Sequence, residues 1–202
     1  MNVLVVHCHP DPVSFVASAR DRVLTALDRA GHVVRVTDLY AGGFDPCFDE
    51  HDRRTHLEPG TAPALQRHAD DLRWCDALVL VYPTWWSGQP AMLKGWIDRV
   101  WANGVAWTMS TSVSTSGPAG ANRLRPLLRN VHRIVVVTTH GSSKLVNSLQ
   151  GEGGKRVVTR ALRSLCSRRC RTTWVAMYGV DRSTAEDRRA FLERVERRLT
   201  AL

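Results

Sequence analysis

Lysine is scarce in this 202-residue chain: only Lys94, Lys144 and Lys155 contribute to its 28 basic side chains. Arginine therefore carries the net charge of +9, and it is spread over many segments. The densest run, Arg188 to Arg198, alternates with Phe191, Leu192, Val195 and Leu199 at helical spacing, as the solvated face of a terminal helix does. No nucleic-acid-binding module is recognisable and no aromatic residues interleave with a basic stripe, so nucleic acid is not expected as a partner. A positive surface still attracts phosphate-bearing cofactors.

Long apolar runs are missing too, which argues against a membrane-spanning helix. The first apolar run, Val3 to Val6, is too short for a signal peptide and follows Asn2 instead of a basic segment. A cytoplasmic protein whose chain begins in its first strand is the expectation. The five cysteines, Cys8, Cys47, Cys75, Cys166 and Cys170, are odd in number and lack metal-ligand spacing, which predicts reduced thiols and no metal site. Cys166 and Cys170 enclose Ser167, Arg168 and Arg169, surroundings that suit a low-pKa thiolate, although a plain helix end beside a strand explains the pair more simply. There is no GxGxxG motif. The fragment GEGGK at Gly151 to Lys155 fails as a P-loop, because Arg156 stands where a hydroxyl should meet magnesium and Leu149 where the motif begins with glycine.

What is present is a strand-and-helix alternation. At 202 residues and 44% hydrophobic, the chain is long enough to bury a full core, and a single domain over residues 1–202 is expected. Strands are predicted at Val3 to His7, Val33 to Leu39, Leu78 to Tyr82, Ile134 to Thr139 and Thr172 to Tyr178. Helices are predicted at Ser14 to Ala30, Ala64 to Arg73, Pro90 to Trp101, Arg156 to Leu165 and Ser183 to Leu199, the last capped by Ser183 or Thr184. The Gly-, Pro- and Asp-rich passages Ala41 to Pro63 and Ala102 to Pro126 show no clear periodicity. The alternation predicts an α/β fold, a doubly wound five-stranded parallel sheet in the flavodoxin-like order 2-1-3-4-5. In that order, ligands sit by strands 1 and 3, beyond the carboxyl ends of the strands.

Polar and aromatic clusters follow strands 1, 3 and 4, which are neighbours in that order. The first, HCHPDPVSF, enters a helix at Ser14. A helix N-terminus presents unpaired amides to an anion, and Ser14, Ser18 and His9 can add donors, so it is expected to hold phosphate. The second places Thr84, Trp85, Trp86, Ser87 and Gly88 between a buried strand and a helix, offering amides, hydroxyls and flat apolar faces to a planar heterocycle. The third supplies Thr138, Thr139, His140, Gly141 and Ser142, small and hydroxyl-bearing residues that let a ring approach the backbone. His140 titrates near neutrality and can move a proton.

Four strings, HPDPVSF at His9 to Phe15, PTWWSGQPAMLKGWIDRVW at Pro83 to Trp101, GVAWT at Gly104 to Thr108, and TTHG with SLQG within Thr138 to Gly151, resemble the flavodoxin-like NAD(P)H:quinone oxidoreductases. This is the DT-diaphorase group with its bacterial quinone reductases and the ancillary subunits of potassium-efflux systems. The resemblance spans nearly the whole chain. It implies a flavin, FAD with FMN as the alternative, whose phosphate side lies against His9, Ser14, Phe15, Val16 and Ser18. Its ring would lie between Pro83, Thr84, Trp85, Trp86 and Ser87 on one side and Thr138, Thr139, His140 and Gly141 on the other. By the same resemblance Trp107 covers the substrate pocket, often across a homodimer interface, and Arg188 lies near the adenine end of FAD. The family's Tyr before SLQG is Asn147 here, its His after LQG is Gly153, and its TTGG is TTHG. Asn147 would thus sit in the substrate pocket, and His140 would be the nearest titratable group to the ring and the candidate catalytic residue.

The function expected is hydride transfer from NAD(P)H through flavin to a quinone or similar acceptor, by a homodimer. Trp96 and Trp101 on the helix after strand 3, together with the two long irregular passages, are expected to help pair the subunits. Two alternatives are a flavin-binding regulatory subunit of an ion-efflux system, with a membrane-protein partner, and a basic nucleic-acid-binding protein.

Overall fold

The computed structural model describes residues 1–109 and 124–202. Five strands form one sheet: β1 (Asn2–His7), β2 (Val33–Asp38), β3 (Ala77–Pro83), β6 (Arg133–His140) and β7 (Arg171–Tyr178). Their spatial order is β2-β1-β3-β6-β7, and every neighbouring pair is parallel. Counted along the chain, that is the expected order 2-1-3-4-5.

Alternation within the strands builds two cores, because successive side chains point to opposite faces. Leu4, Val6, Leu78, Leu80, Tyr82, Ile134 and Val136 face one side, where they meet Leu72, Leu93, Trp96, Val158 and Leu162. Val3, Val5, Val79, Val81, Val135 and Val137 face the other and meet Val16, Val23, Leu27, Phe191, Val195 and Leu199. Each such aliphatic side chain contributes about 1.5–3 kcal/mol when fully buried. The covering helices are α3 (Gln66–Trp74), α4 (Ala91–Val100) and the turn Val157–Leu162 that continues α6 (Gly153–Arg156) on the first face, and α1 (Phe15–Arg29) and α7 (Ala185–Thr200) on the second. Gly95 lets α4 approach the Phe44–Pro46 loop closely, since a Cβ there would fall 2.6 Å from Pro46 Cα.

Several sequence expectations need correction. The helix expected from Arg156 begins at Gly153 and continues as a π-helical turn, Val157–Leu162. Two glycines at its start masked it, because glycine carries no helical preference of its own. The first irregular passage contains α2 (Glu50–Thr55), held by a reciprocal Asp49 and Asp52 capping box that its polar sequence obscured. A short α5 (Lys144–Leu149) follows β6. The second passage forms an antiparallel pair, β4 (Trp107–Met109) with β5 (Leu124–Pro126); Gly117, Pro118 and Gly120 of that passage lie outside the described residues. The last helix is capped by Thr184, whose side chain accepts from the Asp187 amide, and Ser183 serves elsewhere. Trp96 and Trp101, expected to help pair subunits, are both buried in this chain's own core. Among the described residues no helix is long and apolar enough to cross a membrane.

Candidate functional site

Parallel strands deliver three loops to one rim, at the carboxyl ends of β1, β3 and β6. After β1 the chain turns at His9, whose Nδ1 accepts the Asp11 amide at 3.0 Å, leaving Nε2 free to donate. Ser14 is extended and caps α1, its Oγ accepting the Ala17 amide at 3.2 Å. In that bond Ser14 Oγ is the acceptor, which leaves its O–H proton free for a further partner, whereas Ser18 Oγ donates back to Ser14 O at 3.5 Å. The amides of Phe15 and Val16, in the first helical turn where no intrahelical acceptor exists, are further donors beside it.

After β3, the Thr84 amide donates to Thr139 O at 2.7 Å, stitching the second loop to the third. Trp85 and Gly88 then bond reciprocally, at 3.2 and 3.0 Å, around a two-residue turn. Its central residues, Trp86 and Ser87, have φ of 50° and 58°. Neither is glycine, so each carries strain of about 1–3 kcal/mol. The segment after α5 holds the turn in place: the Gly154 amide donates to Ser87 O at 2.8 Å, Ser87 Oγ to Gln150 Oε1 at 2.5 Å, and Gln89 Nε2 to Gly154 O at 2.7 Å. A Cβ at Gly154 would lie 3.0 Å from Gly88 Cα, which explains a glycine there. The outcome is that the Trp86 indole is presented fully to solvent and the amides of Trp86 and Ser87 are left out of the turn's own bonds.

The third loop ends β6 in a buried polar cluster. Thr84 Oγ1 lies 2.8 Å from Thr138 Oγ1 and 3.4 Å from His140 Nε2. His140 Nδ1 meets Asn147 Oδ1 at 2.8 Å, while Asn147 Nδ2 donates to Ser143 O at 2.8 Å and to Ser142 O at 3.3 Å. With its amide nitrogen committed to two carbonyls, Asn147 turns its oxygen to the ring, so His140 Nδ1 carries the proton and Nε2 is an acceptor. Tyr178 stacks on the ring with centroids 4.5 Å apart. Burial lowers the His140 pKa below its usual 6.5, and the Asn147 bond opposes that shift only in part. At neutral pH the ring is therefore uncharged.

A crevice of about 610 Å³ opens between these loops. It is lined by nine of the residues expected from sequence, His9, Phe15, Val16, Pro83, Thr84, Trp85, Trp86, Thr139 and Gly141. Ser142, Val180 and Asp181 also line it. The last two follow β7 and were missed, although the position of that strand's end beside β6 already put its loop at the same rim. Ser14, Ser18 and Ser87 flank the lining, and Thr138 and His140 form the layer under Thr84. Asn147 lies behind His140 instead of in the pocket. Arg188 bonds Ser183 Oγ at 2.9 Å and sits 5.8 Å from the Phe15 ring, beside the start of α1. Trp107 lies elsewhere: its Nε1 donates to Trp101 O at 2.8 Å, and it lines a separate cavity of about 690 Å³ with Phe48, Pro59, Arg99 and Trp101.

The cysteines take no part in the crevice. Cys166 and Cys170 are both buried, and the hydrogen bond between them raises the Cys166 thiol and lowers that of Cys170. Among the described residues, no cluster of His, Cys, Asp and Glu could hold a metal.

A sheet in this order with a three-loop crevice at its switch point defines a flavodoxin-like α/β protein. Residues 1–201 match the family described as having a flavodoxin-like fold, and the chain belongs to it. It is 36% identical over 109 residues to an uncharacterized NAD(P)H oxidoreductase of Haemophilus influenzae, covering 53% of this chain and 54% of that protein. It is 28% identical over 168 residues to NAD(P)H dehydrogenase [quinone] 1 of Cavia porcellus, covering 75% of this chain and 57% of that protein. The chain thus spans about half the length of these curated relatives. The crystal structure of Smu.1420 from Streptococcus mutans UA159 superposes over 100% of both chains with a TM-score of 0.82 at 28% identity.

Proposed function

We propose that this protein is a flavin-dependent NAD(P)H oxidoreductase that passes hydride from NAD(P)H to a quinone or similar acceptor. The observation that carries the proposal is the crevice itself: nine residues from three separate loops, singled out by chemistry and resemblance, line one cavity. Its relatives named as NAD(P)H oxidoreductases and quinone dehydrogenases support the same activity.

The donor set fits a flavin. The Phe15 and Val16 amides at the start of α1 suit its phosphate, and the Trp86 and Ser87 amides with the Thr139 and Gly141 backbone suit the polar edge of its ring. When bound, the flavin supplies the hydride chemistry. The protein's own part is to orient and to exclude: Trp85 and Trp86 wall the open side, and the Thr84 hydroxyl is held from beneath by Thr138 and His140. His140 can deliver a proton only after accepting one at Nε2, with Asn147 fixing the ring through Nδ1. FAD is the expected cofactor, with FMN as the alternative, and Arg188 beside Phe15 is placed to meet a second phosphate or an adenine. A homodimer would let Trp107, remote from its own crevice, complete that of a partner copy.

Absorbance of the purified protein, mass spectrometry of the released cofactor and a quinone-dependent NAD(P)H oxidation assay test the proposal together. Failure of the folded protein to bind FAD or FMN in a titration would overturn it.

A further inference from the structure

Two stretches of chain free of any carboxylate meet at the end of the sheet opposite the crevice. Residues 124–133 contain Arg125, Arg129, His132 and Arg133, and residues 163–171 contain Arg163, Arg168, Arg169 and Arg171, with no Asp or Glu in either. They are laced together by backbone bonds: Leu128 N to Leu165 O, Ser167 N to Val131 O and Arg171 N to His132 O, each 3.1 Å, with Arg133 paired to Arg171 in register. Arg129 reaches Cys166 O at 3.4 Å, and Arg163 Nε donates to Cys170 O at 2.9 Å, so these two guanidiniums are positioned by carbonyls that leave their charge uncompensated.

None of these arginines forms an ion pair among the described residues. Residues 110–123 contain no Asp or Glu to supply one. The acidic side chain that the register places nearest is Asp76, and its carboxylate accepts the Asn2 amide at 2.8 Å. Arg129, Arg168, Arg169 and Arg171 also lie outside helices, so compensation of a helix dipole does not account for them. In the same segment as Arg125 and Arg129, two leucines are left open to solvent, Leu124 at 49% and Leu127 at 39%.

We propose that this end of the sheet docks on an anionic lipid bilayer, the arginines meeting lipid phosphates and Leu124 and Leu127 entering the headgroup boundary. Guanidinium forks match phosphate oxygens in pairs, and basic residues beside exposed apolar ones are the pattern of interfacial attachment. Nucleic acid fits less well, because these two segments contain no Phe, Tyr or Trp on which a base can stack. Docking by this end leaves the crevice, at the carboxyl ends of the strands, facing away from the lipid and open.

The test is co-sedimentation of the full chain with phosphatidylcholine vesicles, with and without phosphatidylglycerol. Binding is expected only with the anionic lipid, and it should fall as salt screens the charges. Arg168→Glu, Arg169→Glu and Arg171→Glu change exposed side chains and should each weaken binding about fivefold or more, the worth of one basic residue near a charged surface. Leu127→Ser should weaken it as well, without changing net charge. Arg53→Glu, the same charge change on α2, should weaken it far less. Equal binding to neutral vesicles, no binding to anionic ones, or a loss in Arg53→Glu as large as in Arg168→Glu would overturn the proposal. So would tighter retention on a short DNA duplex that shows the same sensitivity to these arginines.

Discussion

Asn147 fixes the tautomer of His140: its Nδ2 is spent on the Ser142 and Ser143 carbonyls, so its Oδ1 can only accept the His140 Nδ1 proton, at 2.8 Å. The remaining nitrogen, Nε2, faces Thr84 as an acceptor. A ring so placed, with its pKa lowered by burial, gains its proton only below pH 6.5. In the proposed oxidoreductase, where His140 must be protonated to act as an acid, the limb over which turnover falls with rising pH should therefore lie below that value. Replacing His140 by Gly should remove the limb and lower quinone-dependent turnover about tenfold or more, the low end of general-acid effects. Asn147→Asp should do the opposite, since a carboxylate on Nδ1 favours the charged ring. NMR titration of the ring would show its pKa raised in that variant, and an unmoved pKa would refute the assigned geometry.

Trp86 offers a second prediction. Its indole is fully exposed, so it contributes no packing, yet its φ of 50° carries a conformational penalty that glycine would not. Trp86→Gly should raise stability to urea by about 1 kcal/mol, the lower part of the range for a strained residue. If the strain serves to present the indole at the mouth of the crevice, the same variant should bind acceptor less well, raising KM. A variant that gains stability and keeps its KM would leave the strained turn without that role.

Gly154 tests how the turn is held. Gly154→Ala puts a methyl group 3.0 Å from Gly88 Cα and 3.1 Å from Ser87 O, both backbone atoms that cannot swing aside. The cost expected is about 1–3 kcal/mol, as for other overpacked sites. Because the displaced segment carries the Trp86 and Ser87 amides, flavin dissociation should accelerate along with the loss of stability. Measured cofactor release that stays at the wild-type rate would separate the glycine from the crevice.

The order of the sheet was legible because continuous apolar, valine-rich runs such as Val3 to Val6 and Leu78 to Val81 differ plainly from the amphipathic helices between them. The lining of the crevice was legible for a related reason: once the order is known, loops after neighbouring strands must share a rim. What stayed hidden depends on contacts distant in sequence. Nothing local marks Trp96 and Trp101 as buried, since an amphipathic helix can turn an indole either way. The pairing of Ser14 with the Ala17 amide, and of Asn147 with two carbonyls, is a choice among hydrogen-bond partners that only the folded loop determines. Gly153 and Gly154 read as a break in the chain, yet Gly154 is needed where the helix start passes the Ser87 turn.

His7 gives the last prediction. It is completely buried at the end of β1, neither ring nitrogen has a hydrogen-bond partner, and the nearest carboxylate, Asp38 Oδ2, is 4.0 Å away. Desolvation, only partly opposed by Asp38, lowers its pKa to about 4. The unfolded chain, with an ordinary histidine near 6.5, then binds more protons than the folded one between these values, so stability must fall as pH drops below about 6.5 and level off near 4. From pH 7.5 to 5 this one group should remove about 2 kcal/mol, using about 1.4 kcal/mol per pKa unit. His140, shifted in the same direction, adds to the loss. His7→Leu should flatten the dependence, and since it also removes two buried polar atoms without partners, it should leave stability at pH 7.5 unchanged or raised. Urea unfolding of both proteins at the two pH values measures this. An equal loss on acidification in His7→Leu would show that His7 is not the group responsible.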